Sequence, residues 1–166
     1  MTETPRALDP AELGAYLALI EVSSLLRHTV EQQLREAGDL SYVQFQLLAR
    51  LGDSPDGSCR MTELADGVVY SRSGLTYQAQ TLEQRGLVTR APSIDDERGT
   101  TVTITEQGRA TLAAVFPGHI AVLDELLLSP LERSDIESLA DILGRVRDQM
   151  RAAPPRSAAP RRRKTS

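Results

Sequence analysis

Apolar residues recur at helical spacing through most of this chain. Leu13, Leu17, Ile20 and Ser24, continued by Arg27 or His28, mark one face of a long first helix. Asp9 offers a side-chain cap for its start, and Pro10 takes the first helical position, where a missing N–H costs nothing. Gly38 offers a stop, so the helix is predicted over about 10–37. Ser41-Tyr-Val-Gln44 is a capping box that opens a second helix, from Tyr42 to about Leu51. Gly52 to Ser58 reads as a loop. Thr62 caps a short third helix from Glu63 to about Val69, and Ser71 caps a fourth from Arg72 to Arg85, ended by Gly86.

The period then changes. Leu87–Ala91 and Thr100–Thr105 read as two short strands, the second β-branched and alternating, with the polar tip PSIDDERG between them. Thr105 caps a fifth helix reaching Leu128, in which Pro117-Gly118 predicts a kink. Ser129-Pro130-Leu-Glu132 reads as another capping box, opening a sixth helix to about Met150. Residues 1–8 and the low-complexity tail 152–166 have no such periodicity and are expected to be disordered.

Composition narrows the class. At 166 residues, with 40% hydrophobic and only 4% aromatic residues and no Trp, the chain is long enough for an aliphatic, mainly helical core. One Cys excludes an internal disulfide framework, and with two His it argues against a structural metal centre. No cofactor or catalytic motif is found: there is no Gly-rich phosphate loop and no His-Glu-x-x-His. The first residues lack a secretory pattern, and no uninterrupted apolar run nears the ~18 residues of a membrane span. The expectation is a soluble, cytoplasmic protein without a membrane partner or an enzymatic activity.

Charge matters by its distribution. The net charge is −4, with +6 in residues 151–166 and −10 in residues 1–150. A generic nucleic-acid binder is basic throughout, so a DNA-binding role must rest on a local constellation. Arg60–Arg90 supplies one. Met61, Leu64, Ala65 and Val68 give the third helix an apolar face, and Leu75, Ala79 and Leu82 form the buried stripe of the fourth. The opposite face then carries Arg72, Ser73, Thr76, Tyr77 and Gln80, with Ser71 at the cap. Such side chains on a helix in the major groove reach base edges and phosphates, and a helix N-terminus favours a phosphate. The same pattern fits an ordinary amphipathic helix with a solvated polar face. At the hairpin tip Arg98 is suited to a narrow minor groove, although Asp95, Asp96 and Glu97 precede it and the segment Arg60–Arg109 holds six Arg against seven acids.

The stretch MTELADGVVYSRSGLTYQAQTLEQRGLVTRAPSIDDERGTTVTITEQGR, residues 61–109, resembles the MarR family of bacterial transcriptional regulators. Its Leu-Ala, Ser-Arg-Ser, Leu-Glu-x-Arg-Gly-Leu-Val, Asp-x-Arg and Thr-x-x-Gly elements carry the likeness. The resemblance implies a winged helix-turn-helix at about 41–105, flanked by dimerisation helices at about 10–37 and 106–151, in one domain spanning 9–151. It implies a homodimer on a pseudo-palindromic double-stranded operator, often a repressor released by a small-molecule effector. The family's recognition helix falls on Arg72–Arg85, and its wing Asp and Arg on Asp96 and Arg98. Tyr77, Gln78 and Glu97 depart from the family's usual basic, apolar and basic residues. Effectors in the family sit between the dimer helices and the DNA-binding lobe, which points to His28, Tyr42, Phe45 and His119. Each of these also fits as ordinary core or surface. The family's single-Cys oxidant sensors place their thiol near the start of the first helix, where this chain has none, so Cys59 is expected to be inert. The apolar spacing Ile136, Leu139, Leu143, Val146, Met150 calls for a partner helix. A winged-helix interaction module without specific DNA binding is the alternative function.

Overall fold

The computed structural model describes residues 6–67, 72–93 and 96–152, and for Asp96, Glu97, Arg98, Arg72 and Gly67 it describes the backbone alone. The predicted cap at Ser71, the turn at Val69-Tyr70 and the tail beyond Ala152 lie outside the described residues. Among the described residues, six α-helices and three strands follow in the order α1 (Pro10–Gly38), α2 (Tyr42–Asp53), β1 (Ser58–Arg60), α3 (Met61–Gly67), α4 (Arg72–Gln84), β2 (Val88–Ser93), β3 (Asp96–Ile104), α5 (Glu106–Leu123) and α6 (Arg133–Ala152). The fold is mainly α with a small β-sheet wing, as expected for a winged helix-turn-helix flanked by long helices.

The helix starts obey local chemistry. Asp9 accepts from the backbone N–H groups of Ala11 and Glu12 at 2.8 and 2.9 Å, while Glu12 reaches back to the Asp9 N–H at 2.9 Å. Ser41 and Gln44 exchange the same pair of bonds at the start of α2. The end of α1 differs from expectation. Asp39, not Gly38, takes the left-handed conformation, with φ 50°. Gly38 serves packing instead, since a Cβ there would lie 2.5 Å from Val115 Cγ1 on α5. Asp, whose short polar side chain tolerates this region, leaves the glycine free for that approach.

Strand β1 corrects the reading of residues 52–58 as loop only. Ser58, Cys59 and Arg60 pair antiparallel with Thr103, Val102 and Thr101, giving a sheet of order β1-β3-β2. Ser58 Oγ and Thr103 Oγ1 lie 2.7 Å apart across this pair. Strand β3 begins at Asp96, so the wing is longer than predicted, and the register shifts between Pro92 and Ser93. Pro cannot donate to a ladder, which suits it to such an irregularity.

Helix α5 continues through Pro117 to Leu123 and into a π-helical turn, Asp124–Leu128. That turn delays the next helix. Ser129 and Pro130 belong to the exit from it, and α6 starts at Arg133, with Asp135 accepting from the Glu132 N–H at 3.0 Å. The predicted capping box at Ser129–Glu132 is therefore wrong. Also corrected is the expectation of no membrane-length apolar segment. Glu106–Leu128 passes by length and composition, with mean hydropathy 1.5, because its Gly, His and Pro interrupt the run without making it polar.

The chain divides into two compact units at Leu126/Leu127. The first holds the core: Leu34, Leu40, Leu47, Leu48 and Leu51 from α1, α2 and their junction, Leu64 from α3, Leu75 and Leu82 from α4, Val88, Val102 and Ile104 from the sheet, and Val115 from α5. Beyond it, the N-terminal two-thirds of α1 lies open, with Leu13, Tyr16, Leu17, Ile20 and Leu25 exposed. Helix α6 has no buried residue; Leu143, Val146 and Met150 are exposed, and Ile136 and Leu139 half-buried.

Candidate nucleic-acid interface

Helix α4 is held on three sides by side chains whose positions the fold dictates. Its inner stripe, Leu75, Ala79 and Leu82, is completely or almost completely buried. At its end Gly86, φ 71°, donates to Glu83 O at 2.9 Å, and Leu87 donates to Leu82 O at 3.0 Å. This is a Schellman closure, with Leu82 and Leu87 in hydrophobic contact across it. Beyond the glycine, Glu83 grips the wing. Its Oε1 accepts from the Arg90 backbone N–H at 3.0 Å, and its Oε2 accepts from Arg90 Nε and Nη2 at 2.9 and 2.8 Å. One of the seven acids of this segment is thereby neutralised. Glu63 is another with a local task, accepting from the Arg60 N–H at 3.0 Å at the start of α3.

Gln78 has a clear partner. Buried Gln44 uses Oε1 for the α2 capping box and donates from Nε2 to Gln78 Oε1 at 2.9 Å. A polar residue replaces an apolar one here because α2 offers an amide that must be satisfied. Gln78→Ala is expected to cost about 1–3 kcal/mol of stability by stranding that donor. A lowered urea midpoint checks this, with Gln78→Glu, which keeps the acceptor, as the control.

With the inner face fixed, the outer face is set. Ser73, Tyr77 and Gln80 are exposed, Tyr77 by 64%, and Thr76 is half-buried. These four of the predicted DNA-facing residues share one side of α4. The backbone positions of Arg72, Asp96 and Arg98 fall at the start of α4 and at the tip-side end of β3. The predicted side-chain roles of these three and of Ser71 lie outside the described residues.

The candidate effector residues are not gathered into one place. Phe45 and His119 pack ring to ring, with centroids 4.6 Å apart, and Phe116 lies 6.4 Å from the same imidazole. Burial holds the His119 pKa below the usual imidazole value, and its Nδ1 is buried without a hydrogen-bond partner. Tyr42 instead lines a cleft of about 450 Å³ with Glu31, Arg35 and Arg85, and carries the Arg27 guanidinium 5.5 Å from its ring centroid. His28 is exposed on α1.

A helix presented outward between a short helix and a β-sheet wing is the arrangement found in a DNA-bound relative. The MarR family regulator Sco3205 from Streptomyces coelicolor, crystallised in complex with DNA, superposes with a TM-score of 0.85 at 29% identity, covering 93% of this chain and 95% of that one. The family model described as "MarR family" matches residues 38–99. The HTH-type transcriptional regulator MhqR of Bacillus subtilis is 32% identical over 105 residues, covering 63% of this chain and 68% of the relative. The chain belongs to the MarR family. The transcriptional repressor YetL of Bacillus subtilis is 28% identical over 125 residues, covering 75% of this chain and 74% of the relative. As a MarR-family protein the chain is a DNA-binding transcriptional regulator and not an enzyme. Sequence patterns missed the bonds that Glu83 and Arg85 make on this MarR chain, and for Gln44 they gave the capping box but not its bond to Gln78. Only the Leu-Glu-x-Arg-Gly element pointed toward the first two.

Proposed function

We propose that the chain is a homodimeric repressor that reads a pseudo-palindromic operator with the outer face of α4, one helix per half-site. The observation that carries this reading is the rigid seating of α4 with Ser73, Tyr77 and Gln80 turned outward. Polar side chains at the start and middle of a recognition helix reach base edges in the major groove. Arg72 and Arg98 add a phosphate contact and a minor-groove contact in the same reading, and Ser71 adds a contact to the DNA backbone. Residues 9–151 form the working protomer, and the basic tail 152–166 adds non-specific attraction. Repression is supported by the name of YetL. Release by an effector is supported by His119, whose imidazole packs beside the Phe45 and Phe116 rings and keeps a buried Nδ1 without a partner.

The second copy is supported by surface left open. Exposed apolar residues run along α1, along α5 at Phe116 and Ile120, and along α6 at Leu143, Val146 and Met150. Apolar side chains left open along a helix face in this way mark an interface.

The test is a duplex recovered by the wild-type protein from a random-sequence pool, titrated beside a scrambled duplex of the same composition. Gln80→Ala is expected to weaken binding to the selected duplex by about 1–3 kcal/mol, the value of a bidentate base contact. Its folding should change by no more than about 0.5 kcal/mol, as at other exposed helical positions. Equal affinity of the wild type for both duplexes would favour the interaction-module alternative.

A further inference from the structure

Arg85 sits at the C-terminal end of α4, directly before the left-handed Gly86, and its side chain leaves the helix for α1. Nη1 donates to Asp39 O at 2.7 Å and Nη2 donates to Gly38 O at 3.1 Å. The Asp39 carboxylate lies 3.9 Å away, and the Arg85 side chain as a whole is 31% exposed. These two carbonyls end α1, where unpaired acceptors and the negative end of the helix dipole collect. One planar fork thus caps the C-terminus of α1 from another helix, using the geometry that suits Arg and not Lys. Along this stretch a cleft lined by Glu31 and Arg35 on α1 and Thr81 on α4 lies between the two helices, and Arg85 spans it. The receiving site is itself fixed. Asp39 holds a left-handed conformation, and Gly38 is locked against Val115 of α5. On its other side α4 is bound to the wing through Glu83 and Arg90.

We propose that Arg85 is a positioning residue that sets the angle of the recognition helix from the end of α1. The proposal rests on the reading of α4 as the DNA-facing helix. Arg85 does not touch DNA in it, so its loss misplaces base-reading side chains without removing a phosphate contact.

The experiment titrates Arg85→Ala and Arg85→Lys against the selected and scrambled duplexes over a range of salt, with concentrations corrected for the folded fraction. The expected result for Arg85→Ala is a loss of ten-fold or more at the selected duplex and little change at the scrambled one. The slope of log affinity against log salt stays at the wild-type value, and Arg85→Lys recovers part of the loss. A slope reduced by about one unit, with equal loss on both duplexes, would make Arg85 a phosphate contact and overturn the proposal. So would unchanged binding to the selected duplex. If Arg85→Ala does not fold, Arg85→Lys decides alone: a selective loss with an unchanged slope supports positioning, and wild-type binding refutes it. Gln80→Ala runs alongside. If it weakens specific binding while the Arg85 variants do not, positioning fails and the reading of α4 stands. If none of them matters, that reading fails as well.

Discussion

Gly108→Ala is expected to destabilise the protein by about 3 kcal/mol or more, the upper end of overpacking costs. A Cβ at this position would lie 2.1 Å from Leu87 O and 2.8 Å from Ile104 Cγ1. The carbonyl cannot step aside cheaply, because it accepts from the Thr105 N–H at 3.0 Å and follows the Schellman closure of α4. Thr105 completes the junction: its hydroxyl accepts from the Gly108 N–H at 3.0 Å and donates to Gly86 O at 2.6 Å. The Thr-x-x-Gly element is thus a cap and a close backbone approach in one, joining α5 to the end of α4. Urea denaturation checks the prediction, with Gln107→Ala, an exposed neighbour, expected within about 0.5 kcal/mol of wild type. A comparably small effect of Gly108→Ala would mean that the junction relaxes freely.

The paired substitution Leu17→Asp and Ile20→Asp is expected to convert a dimer into an 18.1 kDa monomer. Both side chains are about half exposed in the single chain, at 53% and 50%, and neither belongs to its core. The fold of the lobe carrying α2–α4 and the sheet should therefore survive. Two carboxylates placed in an apolar interface are costly to desolvate. Loss of the second recognition helix should lower affinity for a two-half-site duplex by about 10²–10⁴, the gain that linkage of two sites confers. Sedimentation and titration on the selected duplex measure both effects. A variant that remains dimeric, or a wild-type protein that is monomeric at micromolar concentration, would place the apolar face of α1 elsewhere.

What could be read from the sequence followed the range of the interactions concerned. Caps formed within four residues were legible at Asp9, Ser41 and Thr105, but not at α3, which starts at Met61 and so holds the predicted cap Thr62 inside the helix. The buried stripe of α4 was legible because its period lies within a single helix. Strand β1 was not, because Ser58-Cys59-Arg60 is too short to show an alternation and is a strand only through its pairing with Thr101–Thr103. The Ser129–Glu132 box failed because the chain leaves the π-helical turn Asp124–Leu128 through Ser129 and Pro130, and the next helix starts only at Arg133. Gln78 read as a departure from a pattern until Gln44, 34 residues earlier, supplied its reason. Arg85 and Gly38 are 47 residues apart, and no local rule joins them. The outer face of the site was therefore legible as a pattern of exposed polar positions, whereas the bonds that aim it were not.

The most direct test of the central claim is a footprint of the wild-type protein on the selected duplex, using dimethyl sulfate to report guanine N7 in the major groove. The account predicts two protected major-groove patches on one face of the duplex, centred about 10–10.5 base pairs apart or a multiple of that spacing, with Gln80→Ala weakening both equally. Protection confined to a single patch, or major-groove N7 positions left fully reactive in a saturated complex, would contradict docking of a two-fold pair of α4 helices.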